Sequence, residues 1–197
     1  MSSEPWTLSP EPCFALASKT RMITLEPPRR LDASADPWKV FGLSQVGLGR
    51  FLRTAQAAVG LRGEVDALLA GDRILRRLNR EFRGKDKATD VLSFPASPEL
   101  AGVHAGDLAV SLETAQRQAE EHGHSLRDEV RVLLLHGLLH LYGMDHEIDR
   151  GEMAAREAEL RVKLRLRSGL IARVELPIRK RKPTAAGSRS RSKKGLA

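Results

Sequence analysis

Apolar residues recur at helical spacing between Ser44 and Val59, at Leu48, Phe51, Leu52, Ala55 and Val59, and Gly60 follows. This pattern predicts an amphipathic helix with one buried face. Residues 64–70, EVDALLA, read as a strand, and Asp72 can cap a second helix through Leu75, Leu78 and Phe82. Two strands follow, VLSFP closed by Pro95 and HAGDLAVS at 104–111. Ser111 then caps a helix to His122, with Gly123 beyond its end. Ser125 and Asp128 make a capping-box-like start to a helix that is apolar all round from Val132 to Leu141. A helix without a polar face belongs in the interior, so this one should be buried and central. Asp149 with Glu152 starts a last helix to about Leu166. Upstream, MITLEP (22–27) is a candidate edge strand, and RRLDASADPWKV reads as loop. The element order predicts an α+β domain: a mixed sheet of about four strands with helices packed on it.

Composition adds domain limits. The 197 residues suit one domain, expected at 22–170, between a poorly ordered extension (1–21) and a tail (171–197). The net charge of +8 is concentrated in that tail. Residues 173–197 hold nine Lys or Arg against the single acid Glu175, which alone accounts for +8, so residues 1–172 are balanced. A tail this basic and rich in Pro, Ser and Gly should be disordered, serving either to bind phosphates or as a solvated appendage. A single cysteine, Cys13, excludes an intramolecular disulfide and fits a reducing compartment. No run approaches membrane-helix length, and the acidic, proline-bearing MSSEPWTLSPEP is unlike a secretory signal. A cytoplasmic protein without a membrane partner is the expectation.

The candidate chemistry lies in HGLLHLYGMDH. His136 and His140 are one helical turn apart, Gly143 can end the helix in a left-handed turn, and His146 follows three residues later. Three imidazoles at this spacing can grip one metal ion, and no fourth ligand is apparent. Three ligands with a position left open is the catalytic pattern, so one zinc per chain is expected, although such a site also suits Ni, Cu or Co. The spacing H-x-x-x-H-x-x-G-x-x-H is that of metzincin peptidases. Those carry a general-base Glu after the first histidine, and here that position is Gly137. His104, His122 and His124 have no partner spacing and read as surface residues.

LNREFRGKDKATDVLSFP, GDLAVS and HGLLHLYGMDH, in this order and spacing, resemble the YbeY endoribonucleases over about residues 64–165. The resemblance implies a zinc-dependent, single-strand-specific endoribonuclease acting in 16S rRNA 3′-end maturation and ribosome quality control, with RNA and the ribosome or its small subunit as partners. It places the metal ligands on His136, His140 and His146, and the family's functional arginine on Arg83. Met144 and Ala88 depart from the family's usual Tyr and Pro without touching a ligand. Arg83 can meet phosphoryl charge with a planar fork, and Lys85 and Lys87 are candidate phosphate contacts. Asp107 and Asp145 are candidates to orient a histidine by accepting its second N–H; Asp107 could instead cap a turn, and Asp145 could stay solvated. The nucleophile is open between metal-activated water and a ribose 2′-hydroxyl. Two other classes remain: a non-catalytic assembly factor stabilised by metal, and a zinc peptidase, against which Gly137 argues.

Overall fold

The structure, a computed structural model, describes residues 22–26 and 35–166. The expectations for 1–21 and 171–197, Cys13 included, lie outside the described residues. The elements run β1 (Ile23–Leu25), α1 (Pro37–Val40), α2 (Gln45–Val59), β2 (Glu64–Ala70), α3 (Asp72–Arg83), β3 (Val91–Pro95), β4 (His104–Ser111), α4 (Leu112–His122), α5 (Leu126–Leu141) and α6 (Glu152–Lys163). The α+β class and the four-stranded mixed sheet are as the pattern implied. The sheet order is β1-β2-β4-β3, with β1, β2 and β4 parallel and β3 antiparallel at one edge.

Hydroxyl caps start three helices, whereas α3 starts after Gly71 without a side-chain cap: Asp72, expected as its cap, lies inside the first turn and accepts from Ser111, Thr114 and Arg117. Ser44 accepts from the Gly47 N–H, Ser111 from Thr114 and Ser125 from Asp128, each satisfying a backbone donor that the first turn leaves unpaired. Residues 37–40, within a stretch expected as loop, form a short helix. Asp36 accepts from the Trp38 N–H and Pro37 sits in the first turn, so α1 forms locally over four residues, too few to show a periodicity. The last helix ends at Lys163, short of the expected Leu166.

The sheet separates two apolar layers. Leu108 and Val110 of β4 face α2, α4, α5 and α6, whereas the intervening Ala109 joins Leu92, Phe94 and the α3 residues Ile74, Leu75 and Leu78. This alternation is the two-residue period of a strand. Helix α5 fills the larger layer, with Leu133, Leu134, Leu135, Leu138 and Leu139 fully buried. Each such burial stabilises by roughly 1.5–3 kcal/mol relative to exposure. The candidate metal-binding sequence is therefore mounted on a deeply buried helix.

Candidate metal centre and its surroundings

The three histidines of HGLLHLYGMDH converge. His136 and His140 lie one turn apart on α5, and their Nε2 atoms are 3.1 Å from each other. After Tyr142 the chain turns at Gly143, whose φ of 96° a side chain would resist. That turn returns His146, so that its ring centroid stands 5.3 Å from His136 and 5.2 Å from His140. One ligand nitrogen from each ring lies within 4.8 Å of the others. Two ligands on a tetrahedral zinc, at bond lengths of about 2.0–2.1 Å, are roughly 3.4 Å apart, close to the His136–His140 separation. The donor set fits a zinc ion.

The orientation of His136 is fixed from behind. Its Nδ1 is 2.9 Å from Glu157 Oε2 in α6, and the other carboxylate oxygen of Glu157 accepts from Arg161. A carboxylate at Nδ1 makes that nitrogen the donor and leaves Nε2 with a lone pair aimed at the centre. Burial opposes ionisation of Glu157, but the hydrogen bond from His136 and the Arg161 charge hold it below the usual range. His140 is pushed down to about 4, first by burial and then by its two histidine neighbours. It is thus a neutral imidazole, the form that ligates.

The role of Glu157 is not legible from local spacing, because it lies 21 residues beyond His136. A signal did exist: Met153, Glu157 and Leu160 are the buried residues of α6, so a carboxylate sits within an apolar stripe. Asp107, the expected orienting group, takes His104 as its partner at 3.4 Å, on the sheet face opposite α5. The cause is strand alternation, which turns Leu108 toward α5 and Asp107 away. Asp145 stays close enough to influence His140, and its side chain accepts from the Glu147 N–H. His124 is not an ordinary surface residue: its side chain is buried against Glu129, with the ring nitrogen Nε2 2.8 Å from Oε2.

Gly137 lies against the sheet. A Cβ there would stand 2.7 Å from Leu108 Cδ2 and 3.3 Å from Ser93 Oγ, and the Ser93 hydroxyl donates to the Gly137 carbonyl. A peptidase-type glutamate at this position would have to displace the buried Leu108. Close approach of helix and sheet thus replaces the general base that the spacing alone would suggest.

Arg83, Lys85 and Lys87 are exposed, at the end of α3 and in the turn beyond it. Helix α3 is on the sheet face away from α5, so the fold does not place these cations beside the histidines directly. It connects them through the 84–90 turn to β3, whose Ser93 touches α5 between the two helical histidines. On the segment that carries His146, Gly143, Met144, Asp145, Ile148, Asp149 and Arg150 line an open groove of about 540 Å³.

The family model and the sequence relatives agree on one family. The family model "Endoribonuclease YbeY" matches residues 47–165. Endoribonuclease YbeY of Koribacter versatilis is 53% identical over 142 residues, covering 72% of this chain and 91% of the relative. That of Solibacter usitatus is 51% identical over 133 residues, 68% of this chain and 88% of the relative. The solution structure of TM1509 from Thermotoga maritima is 24% identical, with a TM-score of 0.45, and covers 78% of this chain and 99% of that one. Among the described residues no helix is long and apolar enough to cross a membrane.

Proposed function

Because the chain belongs to the YbeY family of endoribonucleases, we propose that it is a zinc-dependent hydrolase that cuts single-stranded RNA, acting in the cytoplasm in 16S rRNA 3′-end maturation and in ribosome quality control. The observation that carries the metal dependence is the convergence of His136, His140 and His146 with Glu157 behind His136. A zinc ion held there supplies a divalent charge that polarises a phosphoryl oxygen and acidifies water. The three histidines hold it without neutralising it, since all are uncharged ligands. Glu157 keeps His136 in the ligating tautomer. Arg83 meets charge that builds on the non-bridging phosphoryl oxygens with a planar guanidinium fork. Lys85 and Lys87 hold flanking phosphates, and Asp145 tunes the field at His140. The packing of Gly137 against Leu108 disfavours the peptidase reading, because it removes the position from which a base would act.

Small-subunit particles with an unprocessed 16S 3′ end, incubated with the full chain, test the substrate assignment. Shortening of that end, with duplex RNA left intact, is expected. Equal cutting of duplex RNA would remove single-strand specificity, and an untouched 3′ end would remove the assignment to 16S maturation.

A further inference from the structure

A second cluster of ligand-type side chains lies on the other face of the sheet. Glu64 pairs with His104 but Val65 pairs with Gly106, so Ala105 is an extra residue in β4, a bulge. In a regular strand, residues three apart point to opposite faces. The extra residue brings His104 onto the face of Asp107, where Nε2 is 3.4 Å from Oδ2. Across the parallel ladder, Asp66 is the register partner of Asp107. One ligand atom from each of Asp66, His104 and Asp107 lies within 4.8 Å of the others.

Without a cation this arrangement is poorly satisfied. Like charges directly opposite on neighbouring strands repel. Both carboxyls are held above the usual range: Asp107 by burial and the Asp66 charge, Asp66 by burial and the Glu64 charge, with His104 opposing in each case. The His104–Asp107 distance is long for a hydrogen bond. It matches adjacent ligand atoms on one ion, which are roughly 3.0–3.4 Å apart for bonds of about 2.1 Å. Asp66 is exposed, whereas His104 and Asp107 are half-buried, so an ion can enter and keep water on its open side.

We propose that Asp66, His104 and Asp107 form a second divalent-cation site, separate from the histidine triad. One imidazole with two carboxylates suits a first-row ion such as Mn2+ better than an all-nitrogen site does. The test uses the full chain as purified, its metal content first measured by elemental analysis, and then titrated with Mn2+. Paramagnetic broadening of the His104 ring resonances is expected, with the original metal retained. Asp66→Asn and His104→Gln should each weaken Mn2+ binding at least tenfold, with unchanged thermal melts and unchanged content of the original metal. Asp66 is exposed, so its variant tests the site without disturbing the core. Loss of the original metal as Mn2+ binds, without His104 broadening, would overturn the proposal, as would Mn2+ affinity unchanged in both variants. No Mn2+ binding at millimolar concentration would show that His104 and Asp107 form only an ion pair. None of these outcomes depends on RNA cleavage, so the second site fails or stands apart from the ribonuclease reading.

Discussion

Replacing Glu157 by Gln removes the charge behind His136 while keeping the shape. In the native chain Glu157 is buried, one oxygen at 2.9 Å from His136 Nδ1 and the other accepting from Arg161. Glutamine can present an oxygen to only one of these donors and lacks the charge that makes the imidazole a stronger ligand. Loss of such a partner typically weakens metal binding 10- to 100-fold, about 1.4–2.7 kcal/mol. Glu157→Ala goes further. The side chains of Glu157 and Arg161 are each only 12% exposed, so the alanine variant leaves a buried cation without this carboxylate. Breaking a buried pair in this way costs on the order of 3 kcal/mol or more, which lowers Tm by about 10 °C in a domain of this size. Competition with a chromophoric chelator measures zinc affinity, and thermal melts of the metal-free protein measure stability. The pH dependence has a defined sign. Because folding lowers the pKa of Glu157, its contribution is present above the ordinary carboxylate value and is lost as pH falls through the folded one. The melting difference between parent and Glu157→Ala should therefore shrink on acidification. Parent-like zinc affinity in Glu157→Gln would refute the orienting role.

Arg83→Ala should keep metal and fold but lose on the order of a hundredfold in RNA cleavage rate, and Lys should restore only part of it; a parent rate would make Arg83 an ordinary surface residue. Gly137→Ala should cost about 1–3 kcal/mol, read as a lower Tm, since its Cβ meets buried Leu108; an unchanged Tm would show that the helix and sheet are not packed as described. Truncation after Ile171 should flatten the salt dependence of binding to uncleavable RNA by about 3 units of log–log slope if about four tail cations meet phosphates; an unchanged slope would assign binding to the body of the domain.

The sequence was most informative where spacing is local. Ser44, Ser111 and Ser125 mark helix starts, and the unbroken apolar run through Leu133–Leu139 marks the buried helix. His136, His140 and His146 could be joined on paper because one helical turn and one glycine turn separate them. Glu157 could not, because its contact depends on how α6 packs on α5. The turn of His104 onto the face of Asp107 depends on a bulge, a feature of the pairing between two strands and not of either one. Pairing of His124 with Glu129 arises where the chain passes from α4 into α5, with Glu129 on the buried side of that helix. In each case the deciding contact is tertiary, and no periodicity within one segment encodes it.

RNA cleavage is expected to depend on a metal held by the histidine triad. The direct measurement follows cleavage of a single-stranded RNA by the full chain, before and after chelation and after zinc is added back, beside His140→Ala with its metal content determined. Cleavage that chelation abolishes and zinc restores is expected, together with a His140→Ala protein that is folded, metal-poor at the triad and inactive. Undiminished cleavage by metal-free protein, or full activity in His140→Ala, would contradict this dependence.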